Sequence, residues 1–243
     1  MNYATIKNCD IANGPGVRVS LFVSGCTHRC PGCFNEIAWD FNYGEPFTQQ
    51  TIDRILAMLK PGHIKGLTLL GGEPFEPQNQ PAIVDLLRQV KAAYPEKSIW
   101  AFSGYLFDKD ILAKRLGPWE ITEEYLSYLD VLVDGPFVEA KKNLSLRFRG
   151  SENQRIINVP ASLASGEIVL WQDWQAEGKG VRKRIPSEAK SFTKKQSFPP
   201  MAAQKPPVRI CTHAWKKLSP SGPVSPHGSL RALPWKYPRA APA

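Results

Sequence analysis

The sequence predicts an α/β fold with a mainly parallel sheet. Three observations carry this. Short apolar runs alternate with stretches whose apolar residues recur every three or four positions. That alternation is the pattern of βαβ units. Each apolar run also ends in a polar or glycine-containing turn, so the carboxyl ends of the strands should gather on one side, where α/β folds build their sites.

The elements follow in order. VRVSLFVSG (17–25) reads as a buried strand, with Val17, Val19, Leu21 and Val23 on one face and Phe22 on the other. It runs directly into CTHRCPGC (26–33). Thr48 is placed to cap a helix whose Ile52, Ile55, Leu56 and Leu59 form one stripe. GLTLLGGEP (66–74) is a short apolar strand ending in a glycine pair. Pro81 stands near the start of the next helix, which aligns Ile83, Leu86, Leu87 and Val90. SIWAFSGY (98–105) is a third strand, ending in Ser-Gly. A less regular region, 106–129, contains the helical stretch TEEYLSYL, and LDVLVDGPF (129–137) is a fourth strand. RIINV (155–159) and EIVLW (167–171) are further strand candidates that carry the globular part to Trp171. The cysteine loop, GGE and SGY should therefore converge.

Charge divides the chain at the same place. Residues 1–171 carry 17 Lys+Arg and 19 Asp+Glu, whereas 172–243 carry 14 and 3. The second segment also holds 11 of the 22 prolines and shows neither strand nor helix period. It reads as a basic, Pro-rich, disordered tail at 172–243 behind a domain at 1–171. The tail lacks a recognition motif for nucleic acid. No apolar run is long enough to cross a membrane, and the N-terminus has no basic and apolar leader pattern. The expectation is a cytoplasmic protein with reduced thiols, where clustered cysteines point to metal or catalysis. An odd count of 5 cysteines also fits disulfides poorly.

Cys26, Cys30 and Cys33 form C-x3-C-x2-C. Thiolates suit zinc or an iron–sulfur cluster, and three ligands on a four-site centre leave one position open. By spacing alone, iron–sulfur leads, with zinc and unliganded thiols as alternatives. His28 reads as either a solvated residue or one that supports the ligands from outside rather than as a ligand itself, and Cys9 and Cys211 as lone thiols.

Together, NGPGVR, LFVSGCTHRCPGCFN, GGEP, LVDGPF and RFRGSENQR resemble the radical S-adenosylmethionine (SAM) enzymes, over about residues 1–171. Within them the chain is similar to the glycyl-radical activating enzymes, in particular those serving the anaerobic ribonucleoside-triphosphate reductase. The resemblance implies a partial, open (β/α) barrel of the radical SAM type. It implies a 4Fe-4S cluster on Cys26, Cys30 and Cys33, whose open iron takes SAM. Reductive cleavage of SAM would give a 5′-deoxyadenosyl radical that abstracts hydrogen from a glycine of the reductase. SAM contacts would fall on Gly32, Cys33, Phe34, Gly71, Gly72, Glu73 and Ser103. The electron would come from reduced flavodoxin or a similar donor.

Many radical SAM enzymes carry an aromatic residue where this chain has Gly32; the reductase activators have Pro-Gly followed by Tyr or Phe, here Phe34. Plainer readings stand beside these. Gly71 and Gly72, Asn13–Gly16 and Ser103–Gly104 could simply turn the chain, and Asp134 could cap a turn. Arg147, Arg149 and Arg155 are either a solvated face or a docking surface for the reductase. The rival functions are an activating enzyme for pyruvate formate-lyase and, in another class, a zinc-stabilised nucleic-acid-binding module.

Overall fold

Along residues 17–23, Val19, Leu21 and Val23 alternate with Arg18, Ser20 and Phe22, and all of these are buried. A strand buried on both faces belongs in the interior of a sheet. The computed structural model, which describes residues 1–172, places it there. The strands are β1 (Asn2–Asp10), β2 (Val17–Val23), β3 (Glu45–Pro46), β4 (Ile64–Gly71), β5 (Ser98–Phe102), β6 (Val131–Asp134) and β7 (Arg155–Asn158). The helices are α1 (Gln49–Leu59), α2 (Gln80–Ala93), α3 (Trp119–Tyr128) and α4 (Val159–Ser165). The sheet runs β3-β1-β2-β4-β5-β6-β7 and does not close on itself. β2, β4, β5 and β6 are parallel neighbours. β1 and β7 flank this group antiparallel.

The side chains of one sheet face, among them Leu21, Leu69, Ile99 and Leu132, join Ile55, Ile83, Leu87 and Tyr125 of the helices in the main core. Thr48 caps α1, and its backbone N–H donates to the Thr51 hydroxyl at 3.2 Å. Phe75 stacks on Tyr125 with centroids 4.4 Å apart, tying the turn after β4 to α3. The opposite face is smaller and aromatic. Trp100, Val131 and Val133 pack with Phe148 and Trp171, and Trp100 meets both of those rings edge-on.

Three features depart from the sequence expectation. β1 was not anticipated, because NYATIKNCD is polar in composition and fully buries only Tyr3. Its backbone pairing to β2, with Ile6 opposite Leu21, makes it a strand despite its polar composition. RIIN is a strand, but the chain turns helical from Val159. The Asn158 side chain accepts the Ala161 N–H at 3.1 Å, and Pro160 suits a first helical turn. The EIVLW segment forms no strand, though it pairs with β7 through an isolated Leu170–Ile157 bridge and the Asn158–Val169 and Trp171–Ile156 backbone hydrogen bonds. The readings of 173–243, including tail disorder and Cys211, lie outside the described residues.

Candidate functional site

The parallel register sets the site. Since β2, β4, β5 and β6 point the same way, the turns after them meet at one end of the sheet. There Cys26, Cys30 and Cys33 border a cleft of about 360 Å³. Gly71, Gly72 and Glu73 from the end of β4, and Ser103 and Gly104 from the end of β5, share the same cleft. Cys26 also borders a larger cavity, of about 630 Å³, with Trp39 and Phe41; that cavity contains neither of the other two cysteines nor any strand-end glycine. The convergence expected from the sequence is therefore present in the first cleft.

The cysteine loop is shaped by its backbone. Arg29 and Gly32 both take positive φ, 45° and 71°, which folds the chain back between the cysteines. The Cys33 N–H donates to the Cys30 carbonyl at 3.1 Å, and the Asn35 N–H to the Cys33 sulfur at 3.4 Å. Burial pushes the Cys26 thiol up to about 12, against the pull of the His28 and Arg29 N–H groups directed at its sulfur. Burial also raises the Cys30 thiol, opposed by the Phe137 N–H. A bound metal ion would reverse this, because coordination deprotonates a thiol.

Among the described residues, no three His, Cys, Asp or Glu side chains already stand together as a metal-holding group. The donor set still fits a cluster. Cys26, Cys30 and Cys33 are all free thiols, all partly exposed, and all on one loop facing one cleft. Backbone N–H groups address all three sulfurs, those of His28 and Arg29 at Cys26, Phe137 at Cys30 and Asn35 at Cys33, the kind of surroundings that tunes an iron–sulfur centre.

The strand-end residues have more specific work than their composition suggested. A Cβ on Gly72 would lie 2.5 Å from the Gly25 carbonyl oxygen, so the glycine exists to let β4 lie against the start of the cysteine loop. Glu73 is 1 % exposed, and its carboxylate is filled. One oxygen accepts the Phe75 N–H at 2.8 Å and the Ser103 hydroxyl at 3.0 Å. The other accepts the Gly104 N–H at 2.7 Å and meets His28 Nε2 at 3.0 Å. Glu73 and Ser103 thus bind each other and knit the ends of β4 and β5 to the cysteine loop. Of the two readings of His28, solvated or supporting the ligands from outside, the structure favours the second: its ring is held inward against Glu73 and Tyr105. Burial would lower its pKa, but the Glu73 carboxylate outweighs that and raises it. Gly104 makes room for the ring: a Cβ there would stand 2.6 Å from it.

Phe34 lies at the cleft mouth with 92 % of its surface exposed, so it takes no part in the core. Of the three arginines, Arg155 is committed internally. Its guanidinium bridges buried Asp134 and Asp108, the latter at 2.7 Å. Arg149 borders the cleft and donates to the Gln154 carbonyl at 2.7 Å. Arg147 lies over the Phe148 ring, 4.9 Å from its centroid. Asp134, fully buried, also accepts the Phe107 N–H at 2.8 Å, so its part is structural.

Sequence reasoning missed Arg18 and Glu76. Arg18 is fully buried beneath the sheet's aromatic face. It donates to the Thr68 hydroxyl at 2.7 Å, the Ser98 hydroxyl at 2.9 Å and the Leu67 carbonyl at 2.8 Å. Glu76 reaches back to Thr27 of the cysteine loop. A carboxylate or an arginine in apolar company was the available signal for both.

Comparison with known proteins agrees with this geometry. The family model described as 4Fe-4S single cluster domain matches residues 12–157. Proteins named anaerobic ribonucleoside-triphosphate reductase-activating protein are similar over nearly their whole length. The one from Enterobacteria phage T4 is 46 % identical over 158 residues, 64 % of this chain and 93 % of the relative. That of Escherichia coli K12 is 44 % identical over 156 residues, 63 % of this chain and 96 % of the relative. That of Vibrio cholerae is 43 % identical over 159 residues, 64 % and 97 %. The cysteine loop, the glycine-bearing strand ends and these relatives agree: the chain belongs to the family of anaerobic ribonucleoside-triphosphate reductase-activating proteins, which here carries a 4Fe-4S single cluster domain.

Proposed function

We propose that this chain is a radical SAM enzyme that activates the anaerobic ribonucleoside-triphosphate reductase by reductive cleavage of SAM. Cys26, Cys30 and Cys33 would hold a 4Fe-4S cluster. The observation that carries the reading is that these three cysteines share a cleft with the glycine-bearing ends of parallel strands. A cluster held by those three thiolates would supply, with SAM bound, the single electron that reductive cleavage of the SAM carbon–sulfur bond needs, and the hydrogen taken in consequence would come from a glycine of the reductase.

The chain's own residues bind, orient and shield. Gly32, Cys33 and Phe34 on one side, and Gly71 and Gly72 on the other, would flank SAM. Glu73 and Ser103, with their oxygens mutually engaged, would shape the wall rather than compete for protons. We read the open sheet as a partial (β/α) barrel of the radical SAM type, formed within 1–171. Residues 172–243 would be a dispensable appendage. Arg147 and Arg149 remain candidates for docking the reductase; Arg155, engaged by two carboxylates, would support the cleft from behind. A reduced flavodoxin or similar carrier would deliver the electron, in a cytoplasmic setting. No helix among the described residues is long and apolar enough to cross a membrane.

The test is chemical. Iron-reconstituted protein, given dithionite and SAM without oxygen, should release 5′-deoxyadenosine and hold close to four irons and four sulfides per chain, an expectation from cluster type. Cys30→Ala should abolish both. A protein that takes up zinc and no iron would refute the reading.

A further inference from the structure

The turn after β4 sends a second carboxylate into the cysteine loop. Glu76 is 4 % exposed. One of its oxygens accepts both the N–H of Thr27, at 2.8 Å, and the Thr27 hydroxyl, at 2.6 Å. A buried carboxylate is costly unless its hydrogen bonds are satisfied, and here a backbone N–H and a hydroxyl of one residue, Thr27 between the first two cysteines, both donate to it. The Thr27 hydroxyl also stands 3.4 Å from the Tyr105 hydroxyl, and the Tyr105 ring lies 4.3 Å from the His28 ring. Thr27 and His28 are thus both held from below, by Glu76 and Glu73. The N–H groups of His28 and Arg29, which directly follow the anchored Thr27, face the Cys26 sulfur.

We propose that Glu76 is a positioning residue for the cluster. It pins Thr27, and so fixes the backbone of 27–29 with its N–H groups turned to the Cys26 sulfur. The inference rests on the proposed 4Fe-4S centre and adds to it a residue that touches neither cluster nor SAM. Partners that orient metal ligands from outside commonly govern how firmly the metal is held. Thr27 is itself exposed, so altering it perturbs the anchor without opening the core.

The experiment follows iron release from the reconstituted full-length protein to a chelator under anaerobic conditions, with thermal melting of the iron-free chain alongside. Glu76→Ala should lose iron about tenfold faster than wild type, the scale typical of such partners. Thr27→Val, which keeps the N–H but lacks the hydroxyl, should fall between the two. Glu76→Gln, which keeps an acceptor oxygen, should restore retention. If Glu76→Ala does not fold, Thr27→Val decides alone. Iron release unchanged in Thr27→Val and Glu76→Ala would overturn the inference, as would a change that appears only in the melting of the iron-free chain. A wild-type chain that takes up no iron would instead overturn the cluster reading, and the two failures are told apart by that first measurement.

Discussion

Arg18 shows how one buried residue can tie neighbouring strands together. Its guanidinium is wholly buried, and its bonds go to hydroxyl and carbonyl oxygens rather than to a carboxylate. Burial pushes it down to about 10, far enough from neutrality to stay charged. The Thr68 hydroxyl that accepts from it donates in turn to the Asn13 carbonyl at 2.8 Å, so Arg18 also steadies the loop bordering the cleft. Arg18→Met leaves those oxygens without donors and should destabilise the chain by about 3 kcal/mol, read from urea unfolding. The sequence displayed Arg18 within NGPGVR but could not show this role. Its partners Thr68 and Ser98 lie 50 and 80 positions away, and only the sheet register brings them together. The cysteines, by contrast, were legible at once, because three thiols in eight residues need no tertiary contact to be neighbours.

Among the elements, the strand ends bring their glycines and Glu73 to the cleft of the three cysteines, and the parallel strands were the most readable part of the chain. Their apolar runs are buried on both faces, so composition alone marked them. β1 was hidden because its stability comes from pairing rather than from its side chains. At the end of β4, a Cβ on Gly72 would meet backbone oxygens of Gly25 and Ala38, neither of which can rotate away. Gly72→Ala should therefore cost about 3 kcal/mol of overpacking and loosen the cysteine loop, seen as lower thermal stability and poorer iron loading. The link between β7 and the helical turn at Phe107–Ile111 is ionic. Arg155 holds the Asp108 carboxyl below the ordinary carboxylate range. A lowered folded value means the contribution is present above the unfolded value of about 4 and is lost as pH falls through the folded one. Urea midpoints measured below pH 5 should thus fall less steeply in Asp108→Asn than in wild type.

At the scale of the molecule, the two sheet faces divide the labour. One face buries the helices, and the other supports the cleft through Trp100, Phe148 and Trp171. Trp171 closes that aromatic group, so a chain ending at Gln172 retains every core contact described here. It should melt within a few degrees of the full chain, whereas one ending at Ser165 should melt well below both. The charge break near residue 172 was legible in composition. The filled carboxylates of Glu73 and Glu76 were not, since sequence shows a Glu after a glycine pair but not which donors reach it. The central claim concerns chemistry passed to a partner, and one measurement addresses it directly. Reconstituted protein, reductant, SAM and the host's anaerobic ribonucleotide reductase are combined without oxygen and examined by electron paramagnetic resonance. A glycyl-type doublet on the reductase that requires SAM and vanishes in Cys30→Ala is the expected result; a cluster signal that responds to SAM while the reductase stays silent would contradict the assignment of its partner.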